Sequence, residues 1–324
     1  MVIDKDNMKA TNGSSKAKTE VEHVKNLILG SGPAGLGAAL YTARAQLEPV
    51  VLAGPEFGGQ VSITHIVENY PGFPEAVGGP ELTELFKKQA ERFGARVIFD
   101  IASEVDLSQR PFRVRAYEKE YMADTLIIGT GATPRHLSIP GETEFTGRGV
   151  SYCGTCDGFF FKGKEVVVVG GGDSALEEGV FLTRFATKVT VVHRRDELRA
   201  SAILQQRAKE NPKMNFIWDT AVKNIQGNGA VQQVDLENLK TGTKEPFKTD
   251  GIFIFIGHTP NTELFKGQLE MDAAGYLVAN KYMETSVPGV FAAGEVADPH
   301  FRQVITSAGM GAAAGIQATR FLEN

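Results

Sequence analysis

Cysteine is scarce in this chain, with only two among 324 residues. A small secreted scaffold carries more cysteines, and a structural zinc site needs four nearby ligands, so we expect neither a disulfide framework nor a metal site. No apolar run approaches the roughly 18 residues of a membrane helix. Basic residues are not in excess either, since the net charge is -5. This charge argues against nucleic acid and anionic membranes as partners.

The bulk composition is that of a globular protein with two domains. The chain is 42% hydrophobic and contains 36 glycines, which is typical of compact domains with many tight turns. Its first 20 residues are polar and have no apolar signal-peptide core. We interpret residues 1–22 as a disordered tail and expect a cytoplasmic protein.

The first motif is a dinucleotide-binding fingerprint. An apolar run at residues 24–29 predicts a buried strand. Gly30, Gly32 and Gly35 follow in G-x-G-x-x-G spacing, and residues 36–45 are helical in pattern. The three glycines permit a tight turn, close approach of a pyrophosphate, and close packing of helix on strand. The free amides at the start of the helix then favour the phosphates.

The same pattern recurs about 140 residues later. Residues 165–169 read as a strand, and Gly170, Gly172 and Ala175 give the G-x-G-x-x-A variant before a helix at residues 176–185. A single fingerprint can be an ordinary glycine-rich turn. Two copies, each between a strand and a helix, predict two nucleotide-binding domains.

The two copies differ where the second strand ends, which is where the adenine ribose is read. The first copy ends at Gly54 without an acid, although Glu56 lies close. The second copy ends in a basic set that could also be a solvated helix start: His193, Arg194, Arg195 and Arg199. Guanidinium groups suit the 2′-phosphate of NADP. We therefore assign NADPH to the second copy. The first copy should then hold FAD, because a tightly bound flavin can accept the hydride that a nicotinamide supplies.

The sequence near residue 300 completes the flavin site. Residues 289–296 read as a strand that runs into Gly294 and Glu295, and a small-residue helix follows at 306–322. The acid can accept hydrogen bonds from ribityl hydroxyls, and the helix dipole favours an anionic reduced flavin. We predict a discontinuous FAD domain at 23–135 and 262–324, with an NADPH domain at 136–261 inserted between its two parts.

Cys153 and Cys156 predict redox chemistry. Their Cys-x-x-Cys spacing fits the first turn of a helix, where free amides lower a thiol pKa. Asp157 could protonate a departing thiolate. Half of a zinc site and an inert buried pair are the alternatives. The nicotinamide and the disulfide must both reach one face of the flavin, and the dithiol must also be exposed to a protein partner. We therefore predict that the inserted domain rotates about the crossings at 130–132 and 257–260.

These motifs together resemble the low-molecular-weight, bacterial-type thioredoxin reductases, which are NADPH-dependent flavoprotein disulfide reductases. The resemblance covers nearly everything after residue 22. The matching segments are 30–35, 58–60, 67–72, 153–158, 170–178, 193–199 and 291–308. It implies an α/β fold of two Rossmann-like, three-layer ββα dinucleotide-binding domains, and a homodimer. It also implies that Cys156 receives electrons from the flavin and that Cys153 reacts with thioredoxin.

The resemblance assigns cofactor contacts residue by residue. The implied FAD contacts are Gly30, Gly32, Pro33, Ala34, Gly35, Gly54, Gly58, Gly59, Gln60, Asn69, Thr130, Gly131, Gly294, Glu295, Arg302, Gln303 and Val304. The implied NADPH contacts are Gly170, Gly172, Asp173, Ser174, His193, Arg194, Arg195, Arg199 and Gly257. Two positions depart from the usual pattern: Glu295 stands where Asp is common, and Gly154 replaces Ala, for which we expect no consequence.

Three other functions share most of these features. One is a reductase of a different dithiol protein such as a peroxiredoxin. A second is a ferredoxin-linked relative, which would lose the basic set. The third is not an enzyme but a nucleotide-sensing flavoprotein with a structural disulfide.

Overall fold

The computed structural model describes residues 20–64, 67–117 and 119–324. The strands are β1 (Glu20–Leu29), β2 (Val50–Leu52), β3 (Arg96–Ile98), β4 (Ala102–Asp106), β5 (Phe112–Ala116), β6 (Lys119–Ile128), β7 (Ala132–Pro134), β8 (Val150–Ser151), β9 (Glu165–Gly170), β10 (Lys188–Val192), β11 (Met214–Ile217), β12 (Thr220–Gly227), β13 (Val231–Asn238), β14 (Lys244–Lys248), β15 (Gly251–Phe255), β16 (His258–Pro260) and β17 (Val290–Ala292). The helices are α1 (Pro33–Arg44), α2 (Gly79–Glu91), α3 (Gly154–Asp157), α4 (Asp173–Leu182), α5 (Ala202–Glu210) and α6 (Val304–Glu323).

The first sheet gathers strands from both ends of the described chain. Parallel strands run in the order β3-β2-β1-β6, and β17 pairs in parallel with the last residues of β6. The first residues of β6 instead pair with the antiparallel β5, which leads to β4. Since the centre of this sheet is covered on both faces, its strands are runs of Val, Ile and Leu.

Helices α1 and α6 cover one face of the first sheet and lie against each other. A Cβ on Gly311 would overlap the carbonyl oxygen of Ala34, and one on Gly37 would lie 2.8 Å from the carbonyl oxygen of Ala308. Only residues without a side chain allow two helix backbones to approach this closely. The last helix is therefore locked onto the helix that follows the first fingerprint.

The second sheet repeats the arrangement. Its order is β11-β10-β9-β15-β8, with every pair parallel. Helices α4 and α5 pack on one face, and the antiparallel β12-β13-β14 packs on the other. Each unit thus has a helix layer, a parallel sheet and an antiparallel strand layer. This confirms the predicted α/β fold with two Rossmann-like, three-layer ββα units.

A two-stranded ribbon joins the units where the sequence predicted two crossings. Strands β7 and β16 pair antiparallel, from Ala132 opposite Pro260 to Pro134 opposite His258. Asn261 closes the ribbon, since its side-chain nitrogen Nδ2 donates to the carbonyl of Thr130 at 2.8 Å. Both connections therefore run side by side.

The element boundaries differ from the predicted ones at the start. The predicted tail ended at residue 22, but residues 20–22 extend β1 beside the first residues of β6. Ion pairs between Lys119 and the carboxylates of Glu20 and Glu22 stabilise this polar extension. Residues 1–19 lie outside the described residues. In the part that is described, no helix is long and apolar enough to cross a membrane.

Candidate active site

The first fingerprint has the backbone geometry of a phosphate-binding turn. Gly30 adopts a φ of 104°, and a Cβ on Gly35 would overlap the carbonyl oxygen of Gly30. Gly32 caps α1, and a Cβ built there would meet nothing within 4 Å. The turn therefore needs its glycines and leaves open space at the helix N-terminus. Because free amides face that space, the residues present fit a dinucleotide pyrophosphate.

The loop after β2 lies over this turn. Ser31 Oγ donates to the carbonyl of Ala53 at 2.8 Å and accepts from the amide of Gly58 at 3.0 Å. A Cβ on Gly59 would lie 3.5 Å from the Cα of Gly32. The residues assigned to FAD from residue 30 to residue 59 are thus brought together at one edge of the first sheet.

Glu295 completes this edge from the other end of the chain. It follows Gly294, whose φ of 78° and close approach to Ala34 place the acid at the same sheet edge. Burial raises the pKa of Glu295 to about 7; Arg302 opposes that rise and Asp298 adds to it. This carboxyl is thus suited to exchange a proton, or to hydrogen-bond a ligand hydroxyl, near neutral pH.

Arg302 connects the first unit with the second fingerprint. Its backbone has a φ of 49°. Its guanidinium donates to Nδ1 of His258 at 2.9 Å and lies 3.5 Å from Ser174 Oγ. Burial, and then Arg302 and Arg135, lower the pKa of His258 to about 4, so this imidazole is a neutral acceptor. Sequence reasoning missed His258, because nothing in the pattern of 257–260 distinguished it from a linker residue.

The second fingerprint is built like the first. A Cβ on Gly170 would lie 2.5 Å from the carbonyl oxygen of Phe255, whereas one on Gly172 would meet nothing within 4 Å. Asp173 accepts a hydrogen bond from the amide of Ser201 at 2.7 Å, which orders the start of α5. A cavity of about 420 Å³ lies beside this turn, lined by Asp173, Ser174, Glu177, Ser201, Ile203, Leu204, Arg207, Pro299, His300 and Arg302. The residues present fit a second dinucleotide.

The basic set after β10 divides into two groups. Arg194, Arg195 and Arg199 are exposed, and within the described chain no carboxylate forms an ion pair with them. His193 is buried; its Nε2 lies 3.1 Å from the carbonyl oxygen of Glu197, and its ring fills the space beside Gly171. The arginines therefore form an accessible cationic surface, while the imidazole packs beneath the turn instead of joining them.

The two cysteines form a disulfide with an S–S distance of 2.05 Å and a Cα–Cα distance of 5.3 Å. Cys153 caps α3, and its Sγ accepts a hydrogen bond from the amide of Cys156 at 3.2 Å. This amide would stabilise a thiolate on Cys153 after reduction. The redox pair thus lies at the helix start, as the spacing predicted.

Asp157 follows directly in α3. Burial raises its pKa, and a hydrogen bond with Ser151 opposes that shift. A carboxyl with a raised pKa can deliver a proton to a departing thiolate more readily than an ordinary aspartate. Its position supports the predicted role of an acid beside the redox pair.

A chain of hydrogen bonds joins the flavin-side residues to the redox pair. Asn69 Nδ2 donates to Gln303 Oε1 at 3.1 Å, and Gln303 Nε2 donates to Thr155 Oγ1 at 3.1 Å. Thr155 Oγ1 lies 3.4 Å from Cys153 Sγ. The structure thus brings two residues assigned to FAD next to the redox pair. Sequence reasoning missed Thr155, whose place inside the Cys-x-x-Cys motif was the available signal.

In residues 20–64, 67–117 and 119–324, no group of three or more His, Cys, Asp or Glu side chains could hold a metal ion.

Comparisons with known proteins agree with the geometry. Residues 24–311 match the family model described as pyridine nucleotide-disulphide oxidoreductase. The thioredoxin reductase of Rickettsia felis is 51% identical over 303 residues, covering 92% of this chain and 98% of the relative.

Two solved structures resemble most of the chain. The thioredoxin reductase from Streptococcus pyogenes is 45% identical, with a TM-score of 0.89 over 93% of this chain and 98% of the other. That from Lactococcus lactis in its FR conformation is 41% identical, with a TM-score of 0.63 over 93% of this chain and 99% of the other. Two nucleotide-binding turns, a disulfide at a helix start and near-full-length similarity together show that the chain belongs to the thioredoxin reductase family of pyridine nucleotide-disulphide oxidoreductases.

Proposed function

We propose that this chain binds FAD and NADPH and reduces the disulfide of a thioredoxin through Cys153 and Cys156. The observation that carries the proposal is the disulfide at the start of α3, hydrogen-bonded through Thr155 to Gln303 beside the first fingerprint. A bound flavin supplies the two-electron link between a nicotinamide hydride and this disulfide. The exposed arginines after β10 support NADPH over NADH, because guanidinium groups pair with a 2′-phosphate.

The redox pair performs the exchange with the protein partner. The Cys153 thiolate attacks the partner disulfide, forming a mixed disulfide and releasing one partner thiolate. The Cys156 thiolate then attacks Cys153 Sγ, which re-forms the disulfide in this chain and releases the second partner thiolate. Asp157 supplies one of the two protons that the partner takes up, and solvent supplies the other.

We propose that the inserted unit rotates between the two half-reactions. The units would be 20–135 with 262–324, and 136–261, with the ribbon of β7 and β16 as the pivot. Two solved relatives of similar identity superpose on this chain to very different extents, which supports two arrangements of the same units. Rotation would break the contact between Gln303 and Thr155 and expose the redox pair to a partner.

A cross-link tests the rotation. His300 and Ile203 line the same cavity from the two units, so cysteines placed at both can be joined by a bis-maleimide while the native pair is oxidised. The locked protein should lose NADPH-to-thioredoxin turnover but keep electron exchange between flavin and disulfide. If the locked protein turns over at the unmodified rate, the units do not rotate.

Stopped-flow absorbance tests the function itself. NADPH should bleach the flavin faster than NADH does, and thioredoxin should then restore the oxidised spectrum. Cys153→Ser should keep bleaching and lose thioredoxin reduction. Bleaching without reduction of any dithiol protein in the wild type would favour the nucleotide-sensing flavoprotein, and reduction of a peroxiredoxin alone would favour the other reductase.

Two further properties follow from the family. We propose a homodimer, to be checked by sedimentation velocity of the flavin-loaded protein. We also propose a cytoplasmic location, because the cytoplasm is the compartment in which protein thiols are kept reduced. Cell fractionation with an antibody to the chain checks it.

A further inference from the structure

Glu178, on α4, contacts the backbone of the redox helix. Its Oε2 accepts a hydrogen bond from the amide of Thr155 at 3.1 Å. Burial raises the pKa of this carboxyl, while nearby Arg302 and the amides of Thr155 and Gly154 lower it, and Glu177 raises it further. A buried acid that satisfies backbone donors in the first turn of α3 has a structural reason to be there.

Gly154 makes this contact possible. A Cβ on Gly154 would overlap Oε2 of Glu178, so any larger residue must push the carboxyl away from the amide of Thr155. The family resemblance gave no reason to expect a consequence of glycine at this position, but the structure shows that its missing Cβ bears on Glu178. The missing side chain leaves the space that the Glu178 carboxyl occupies.

The contact belongs to one unit, unlike the hydrogen bond between Gln303 and Thr155. Glu178 and Thr155 both lie in the unit of the second sheet, so their hydrogen bond persists if that unit rotates. The hydrogen bond between Gln303 and Thr155 joins the two units and would be lost. When the pair faces a protein partner, the contact between Glu178 and Thr155 therefore remains in place.

We propose that Glu178 is a positioning residue for the redox pair: it holds the first turn of α3 when Cys153 meets the partner disulfide and sets the stability of the dithiol. This rests on the proposed function. The Glu178 carboxylate accepts the hydrogen bond of the Thr155 amide and adds negative charge near Cys153, so the amide of Cys156 is left as the backbone donor to Sγ. Both effects disfavour a Cys153 thiolate and hence the reduced state.

Glutathione redox buffers test the charge directly, because they equilibrate the pair without thioredoxin. Glu178→Gln keeps an acceptor and removes the charge, so the ratio of dithiol to disulfide at a fixed buffer potential should rise about tenfold. This corresponds to a reduction potential of the pair that is about 30 mV higher. Gly154→Ala should shift the ratio in the same direction, because its Cβ displaces the Glu178 carboxyl. Alanine is otherwise more favourable than glycine in a helix, so the substitution itself should not unfold α3. The double variant should add little, because both changes act on the same contact between Glu178 and the first turn of α3.

Kinetics test the positioning. Glu178→Ala should lower kcat/KM for thioredoxin about tenfold while the rate of flavin bleaching by NADPH changes less than twofold; Gln303→Ala should instead slow electron transfer from flavin to disulfide. Glu91→Ala, exposed on α2, and Gly309→Ala, where a Cβ meets nothing within 4 Å, are matched controls.

Unchanged redox ratios in both Glu178→Gln and Gly154→Ala would overturn the proposal, as would wild-type thioredoxin kinetics in Glu178→Ala. A wild-type protein that fails to reduce thioredoxin contradicts the proposed function instead. The glutathione equilibrium still measures the effect of Glu178 in that case, so the two failures are distinguishable.

Discussion

Titration of Glu295 should make the flavin-free protein less stable as the pH rises, and Glu295→Gln should remove this loss of stability. Burial raises the pKa of this carboxyl from 4.5 to about 7, so the folded state binds its proton more tightly than the unfolded state does. The resulting contribution to stability is fully present below pH 4.5 and is lost as the pH rises to about 7. At 1.36 kcal/mol per pKa unit, the loss is about 3 kcal/mol.

His258 acts in the opposite direction over almost the same range. Burial and two arginines lower its pKa from 6.5 to about 4, so the unfolded state binds its proton more tightly. Protonation of the unfolded chain therefore reduces stability below pH 6.5, and stability increases between pH 4 and 6.5. The two effects partly cancel in the wild type, and the difference between wild type and Glu295→Gln isolates the carboxyl.

The assay is urea unfolding of both flavin-free proteins, followed by far-UV circular dichroism, which reports on both units, at half-unit steps from pH 4.5 to 8. The free energy of unfolding of the wild type, minus that of Glu295→Gln, should decrease by about 3 kcal/mol across the range. A His258→Asn background should show the same decrease without the opposing slope. A difference that is flat with pH would refute the burial argument for Glu295.

Two other perturbations follow from the fingerprints. Replacing Arg194, Arg195 or Arg199 by Ala should raise KM for NADPH about 10- to 100-fold and leave KM for NADH unchanged. The reason is that each guanidinium supplies a charge-assisted hydrogen bond to the 2′-phosphate worth about 1.5–3 kcal/mol. Steady-state kinetics with both nucleotides check this. Gly35→Ala should force the Gly30 turn apart and destabilise the protein by about 1–3 kcal/mol or more, with loss of flavin retention, as thermal unfolding and the visible spectrum of the purified protein would show.

Most of the fold could be predicted from local pattern. Each fingerprint combines a buried strand, glycines and a helix within about 20 residues, and the geometry of Gly30 and Gly170 allows few substitutes. The disulfide was equally clear, because two cysteines three positions apart leave one pairing. These features are local, so the sequence displays them directly.

The contacts that connect the elements could not be predicted in the same way. In sequence, Glu178 looks like an ordinary solvent-exposed residue of a helix. Only the packing of α3 on α4 brings its carboxylate to Thr155. His193 was grouped with the arginines because it is adjacent in sequence, yet its ring is buried in the space beside Gly171. The start of β1 was set too late, since its polar residues 20–22 are stabilised by partners about 100 residues away.

The way α6 and β17 close the first sheet has a consequence for biosynthesis. Residues 290–323 supply one strand beside β6 and the helix that packs on α1, so the flavin-side core cannot close until they have been translated. The inserted unit has all its strands between residues 150 and 255 and can fold first. A ribosome-bound nascent chain ending near residue 289 should therefore protect the second nucleotide-binding unit from protease while the first remains open.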